Sequence, residues 1–116
     1  ANGFMRLGLL YIEQENYKDA ASNLKVSIEL DDKDHNKYFN LASAYNHLEK
    51  WDEAAKVAQS CIDIKKKFGG GWLELGLAEM GRRNRTRAKK HFEQARSDRD
   101  FRKLAERKID EIISTK

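Results

Sequence analysis

The sequence matches itself at a shift of 34 residues, and this period limits the possible folds more than any other feature. Phe4, Tyr38 and Trp72 coincide, all aromatic. Leu7, Leu41 and Leu75 coincide without exception, followed by the tiny Gly8, Ala42 and Gly76. Tyr11 and Tyr45 then align with Glu79, a departure. Later in the period, Ala20, Ala54 and Ala88 are identical, Leu24, Ala58 and Phe92 are apolar, and Ser27, Cys61 and Ala95 are small. Units of this length stack because none buries its apolar face alone. The chain has no proline in 116 residues, where about six would be average. Long uninterrupted helices fit that lack.

The spacing predicts two helices per period, joined by a short turn. First helices are expected over about 2–14, 36–48 and 70–82, and second helices over about 18–30, 52–65 and 86–97. Turns fall at Glu15-Asn16, Glu49-Lys50 and Arg83-Asn84. Gly8, Ala42 and Gly76 should face Ala20, Ala54 and Ala88, bringing the paired backbones within about 8 Å. Ser27, Cys61 and Ala95 are small where the next unit packs. Gly69-Gly70-Gly71 reads as a flexible joint that frays the third unit's entry. A last helix is expected from about Asp100 to Ile113, capped by Asp98 or Asp100. Its apolar face would be Phe101, Leu104, Ala105, Ile109, Ile112 and Ile113, a lid for the end of the stack.

Trp72, Leu75, Gly76, Ala88 and Phe92, and before them Phe4, Leu7, Gly8, Tyr11, Ala20 and Leu24, carry a W-x2-L-G-x2-Y…A-x3-F pattern. With the exit Ile28-Glu29-Leu30-Asp31, the sequence resembles the tetratricopeptide repeat family over residues 1–102. Asp32, Lys66 and Asp100 stand where that family usually has proline. The resemblance implies an all-α fold: an α-solenoid of three tetratricopeptide helix-turn-helix repeats plus a C-terminal capping helix. It divides one domain, 1–116, into repeats 1–34, 35–68 and 69–102 and a cap at about 100–114. It also implies a non-enzymatic protein–protein interaction scaffold that holds a peptide or helix of a partner in its concave groove.

On the resemblance, the groove presents an apolar strip of Met5, Leu9, Ile12, Phe39, Leu73, Leu77 and Met80. Between its ends lies a polar island of Asn40, Ser43, Asn46 and His47. The strip is core or self-packing, an adaptable partner surface, or a contact between copies of the chain. The island is either a solvated helix face or a set of hydrogen-bonding groups for an extended peptide. One subfamily grips the C-terminal carboxylate of heat-shock chaperones with two lysines, an arginine and two asparagines. Asn40 matches one asparagine; Met5 and Gly70 stand at the lysine places, Glu74 at the arginine place and Leu9 at the other asparagine place. The expectation is therefore a partner other than a chaperone tail.

Charge is uneven: seven Lys and Arg against eleven Asp and Glu over 1–64, but sixteen against eight over 65–116. The rival site is a basic face of Arg82, Arg83, Arg85, Arg87, Lys89 and Lys90 for an acidic surface or nucleic acid. Few aromatics interleave with it, so nucleic acid is the lesser expectation. His35, His47 and His91 lie at unrelated places, so no metal is expected. Cys61 reads as a buried, inert thiol. The glycine run has no phosphate-loop lysine, and no cofactor or catalytic set is expected. No apolar run is long enough to span a membrane, and the cytoplasm is the expected location. The opening Ala1-Asn2-Gly3 and the unlidded first pair suggest further chain before residue 1, or an oligomer.

Overall fold

The computed structural model describes residues 16–114. Its helices in chain order are α1 (Tyr17–Leu30), α2 (His35–His47), α3 (Trp51–Ile64), α4 (Gly69–Gly81), α5 (Arg85–Ala95) and α6 (Arg102–Ser114). The expected helix over 2–14 lies outside the described residues. Asn16, Asp34 and Asn84 open α1, α2 and α5 by accepting backbone N–H groups of Asp19, Asn36 and Arg87. Asp98 does the same for a 3-10 turn, Arg99–Phe101, that runs into α6. Glu49 and Arg83 adopt positive φ, 60° and 63°, where the chain reverses between paired helices.

α2 packs on α3 and α4 on α5, with α1 against α2, α3 against α4 and α6 against α5. Small residues let the pairs close: Ala42 and Ala54 are fully buried, and a methyl on Gly76 would stand 2.5 Å from the Phe92 ring. Ala54→Leu should therefore destabilise by roughly 1–3 kcal/mol through overpacking. A denaturant melt checks this.

The joints hold without proline because side chains from the following helix take up loop carbonyls. Tyr38 Oη donates to Asp32 O at 2.9 Å, and Trp72 Nε1 donates to Lys66 O at 2.8 Å. The aromatic that opens the repeat thus anchors the linker six residues before it. Lys37, only 1% exposed, donates through Nζ to Ser27 O (2.9 Å) and Asp31 O (3.1 Å). It satisfies carbonyls at the end of α1, where a positive charge is favoured.

The glycine run corrects the expectation of a frayed joint. Gly69, Gly70 and Gly71 form the first turn of α4 and are buried. A methyl on Gly69 would lie 2.8 Å from Ala95 O, on Gly70 2.6 Å from the Phe68 ring, and on Gly71 2.9 Å from Ile62. These glycines are needed for close approach. The lid also differs in detail. Ala105, Ile109 and Ile112 are buried in one cluster with Leu73, Ala88, Phe92 and Ala95, while Leu104 and Ile113 face solvent.

Candidate functional site

The repeat pattern brings the C-terminal ends of α2 and α4 side by side, with α3 behind and α6 along one edge. Asn46 and His47 of α2, Trp51 of α3, Glu74, Leu77, Met80 and Gly81 of α4, and Lys108 of α6 line a cleft of about 440 Å³. One rule builds two of its walls. Tyr17 stacks on His47 with ring centroids 4.1 Å apart, and Trp51 lies so close over Gly81 that a methyl there would meet its ring. An aromatic opening a second helix therefore covers the first helix of the next repeat, thirty residues on.

The floor is polar. Asn46 is 8% exposed and Glu74 5% exposed. Asn46 Nδ2 donates to Glu74 O at 3.0 Å and to Glu74 Oε1 at 2.9 Å. Two acceptors facing the same nitrogen fix the orientation of the amide. Asn46 Oδ1 is then left buried without a partner. Burial raises the Glu74 carboxyl to about 7, against a smaller opposing pull from the Asn46 hydrogen bond. Burial, and secondarily the charge of Glu74, push the Cys61 thiol up to about 12. That fits an inert thiol.

The expected groove residues divide. Asn46, His47, Leu77 and Met80 meet in the cleft. Leu73 does not line it: at 3% exposure it belongs to the core covered by α6. The half-buried Phe39 is taken up by packing, its ring perpendicular to Phe68 at 5.2 Å and to Phe101 at 5.8 Å. Asn40 Nδ2 donates to Asn36 O within its own helix, and Ser43 O lies 2.8 Å from His47 Nδ1. Asn40 and Ser43 stand earlier on α2, apart from the cleft. Met5, Leu9 and Ile12 lie outside the described residues. Trp51 and Lys108 were not among the expected site residues, and Glu74 was read only as a changed clamp place in the groove. The 34-residue alignment of Trp51 with Tyr17 was the available signal for the first.

The basic face is thinner than its sequence suggests. Glu79, at the place of Tyr11 and Tyr45, is buried and accepts from Arg82 Nη1 at 3.0 Å, with Arg87 Nη1 at 3.8 Å. Arg82 Nε also meets Asp52 at 3.1 Å. The departure from tyrosine is thus compensated inside the repeat. Arg83 and Lys90 are exposed, and Arg85, Lys89 and Lys90 border a second cleft of about 400 Å³ with Ile112 and Ile113. Among the described residues, no group of three or more His, Cys, Asp or Glu could hold a metal ion, and no helix is long and apolar enough to cross a membrane.

Models of the tetratricopeptide repeat match residues 1–34 and 38–64. The chain belongs to the tetratricopeptide repeat family, and its helical solenoid is the architecture of a protein–protein interaction scaffold. It is 33% identical over 92 residues, 79% of its length, to the Hsp70-Hsp90 organising protein of Plasmodium falciparum. It spans only 36% of that relative, and 16% of the protein of the same name from isolate 3D7. The first TPR of Spaghetti (RPAP3), bound to the HSP90 peptide SRMEEVD, superposes with a TM-score of 0.89 at 20% identity, covering 96% of this chain and 88% of that one. The second TPR domain of human RPAP3, in complex with the HSP70 peptide SGPTIEEVD, gives 0.85 at 22%, covering 91% and 88%. These likenesses correct the expectation that set chaperone tails aside. The exclusion drawn from the clamp places alone is overturned by a relative named for Hsp70 and Hsp90.

Proposed function

We propose that the chain is a non-enzymatic adaptor whose cleft between α2 and α4 holds an extended segment of a heat-shock chaperone. The cleft carries the reading: it is concave and mostly apolar at Trp51, Leu77 and Met80, with polar groups at His47 and Lys108 to orient a ligand. The organising-protein relative supplies the partner class. Two clamp places are committed to packing, Gly70 beneath the Phe39 and Phe68 rings and Glu74 in the floor. The grip therefore rests on apolar contact, with Lys108 of the capping helix, 3.4 Å from Glu111, at the edge of the cleft.

Titration of SRMEEVD and SGPTIEEVD tests this. At least one should bind saturably, and its affinity should change by less than about threefold between low and physiological salt. Met80→Glu places a charge on the apolar wall and should weaken binding by about tenfold or more. Failure of both peptides to saturate, or an unaffected Met80→Glu variant, would overturn the reading. Steep loss with salt would transfer the function to the basic face.

A further inference from the structure

From the geometry of the cleft floor we infer a subsite for a cationic side chain, a guanidinium or ammonium group of the partner segment, seated between Glu74, Asn46 and Trp51. The inference rests on the reading of the cleft as a partner groove and adds the chemistry of one ligand residue. Three groups line that part of the cleft. Glu74 is a buried carboxyl with a hydrogen bond from Asn46 and, among the described residues, no cation within ion-pair distance. Asn46 Oδ1 is an acceptor with no donor. Trp51 offers an aromatic ring in the same cleft, and cations bind ring faces. A buried acceptor left alone is costly. What the floor lacks is a donor for Asn46 Oδ1, and a positively charged one would also pair with Glu74 beside the Trp51 ring.

Other charged groups do not fill the gap. Lys108, on α6 at the edge of the cleft, lies 3.4 Å from Glu111. His47, from α2, has Nδ1 at 2.8 Å from Ser43 O. Cys61, from α3, feels the charge of Glu74 but stays a thiol. The Glu74 carboxyl titrates near 7, so a bound cation should draw it into its ionised form and release a proton.

The test adds 1-butylguanidinium to the full chain and follows the Asn46 side-chain amide and the Glu74 carboxyl by NMR, with 1-butanol as the neutral control. Both resonances should move saturably with butylguanidinium and not with butanol. The Glu74 titration midpoint should fall by at least about one pH unit at saturation, a tenfold shift in its ionisation. Glu74→Gln should weaken butylguanidinium at least about tenfold. An unmoved midpoint, or equal effects of butanol, would overturn the subsite. So would a response that appears only after Lys108→Met, because Lys108 would then be the resident cation. The wild-type midpoint keeps the inference falsifiable if the Gln variant misfolds. Butylguanidinium reports on the floor whether or not a chaperone peptide binds, so the two readings fail separately.

Discussion

A chain ending at Arg99 should melt about 10 °C or more below the full chain, or associate into dimers and larger species. The cut removes Phe101 and all of α6. It uncovers Leu73, Ala88, Phe92 and Ala95, which share one buried cluster with Ala105, Ile109 and Ile112. Burying an isoleucine contributes ~1.5–3 kcal/mol, so Ile109 and Ile112 alone account for roughly 3–6 kcal/mol before α6's ordering cost is subtracted. Loss of about 3 kcal/mol at the midpoint corresponds to ~10 °C for a domain of this size. Phe101 also leaves the three-ring cluster, where it stands 5.2 Å from Phe68 and 5.8 Å from Phe39. Asp98, whose Oδ2 accepts from Gly69 N–H at 2.7 Å, is retained, so the start of α4 keeps its cap. Calorimetry with analytical ultracentrifugation reads the outcome. An unchanged midpoint in a monomer would show that α6 adds nothing to the third repeat.

The helices were legible because their signal is redundant. Every small or aromatic place in the period is stated two or three times, so boundaries among the described residues came out within a residue or two. The glycine run was misread because it occurs once. Local propensity favours a hinge there, while tertiary contact with Ala95, Phe68 and Ile62 requires the missing side chains. Lys37 hides for the opposite reason: its aliphatic stem suits burial, and only the fold shows that its ammonium meets the end of α1. The groove was half legible. Helical phase put Leu77, Met80, Asn46 and His47 on the concave side, and they meet there. It could not tell that Leu73 is covered by α6, a helix outside the repeat pattern. The partner was misjudged by weighing five clamp positions alone. The likeness to the organising protein is spread over 92 residues.

Glu74→Gln should remove a pH-dependent loss of stability that the wild type suffers between about pH 4.5 and 7. The carboxyl is buried, and burial raises it from 4.5 to about 7. A folded-state value above the unfolded one means that the native state holds the proton more tightly. The associated stability is fully present below 4.5 and is lost as pH rises through 7. At 1.36 kcal/mol per unit, the loss is about 3 kcal/mol, reached in full above the folded value. Glutamine keeps the shape and the acceptor that Asn46 Nδ2 uses at 2.9 Å, and it cannot ionise. The stability difference between variant and wild type should therefore be small at pH 4 and favour the variant by about 3 kcal/mol at pH 8. Taking the difference at each pH cancels the common titrations, including His35 and His91, both lowered chiefly by burial. Urea melts of both proteins across this range supply the measurement. A difference that stays constant with pH would show that Glu74 meets enough water or positive charge to ionise freely. The same result would remove the premise of an unfilled cation subsite, because a carboxylate already satisfied gains little from a guanidinium.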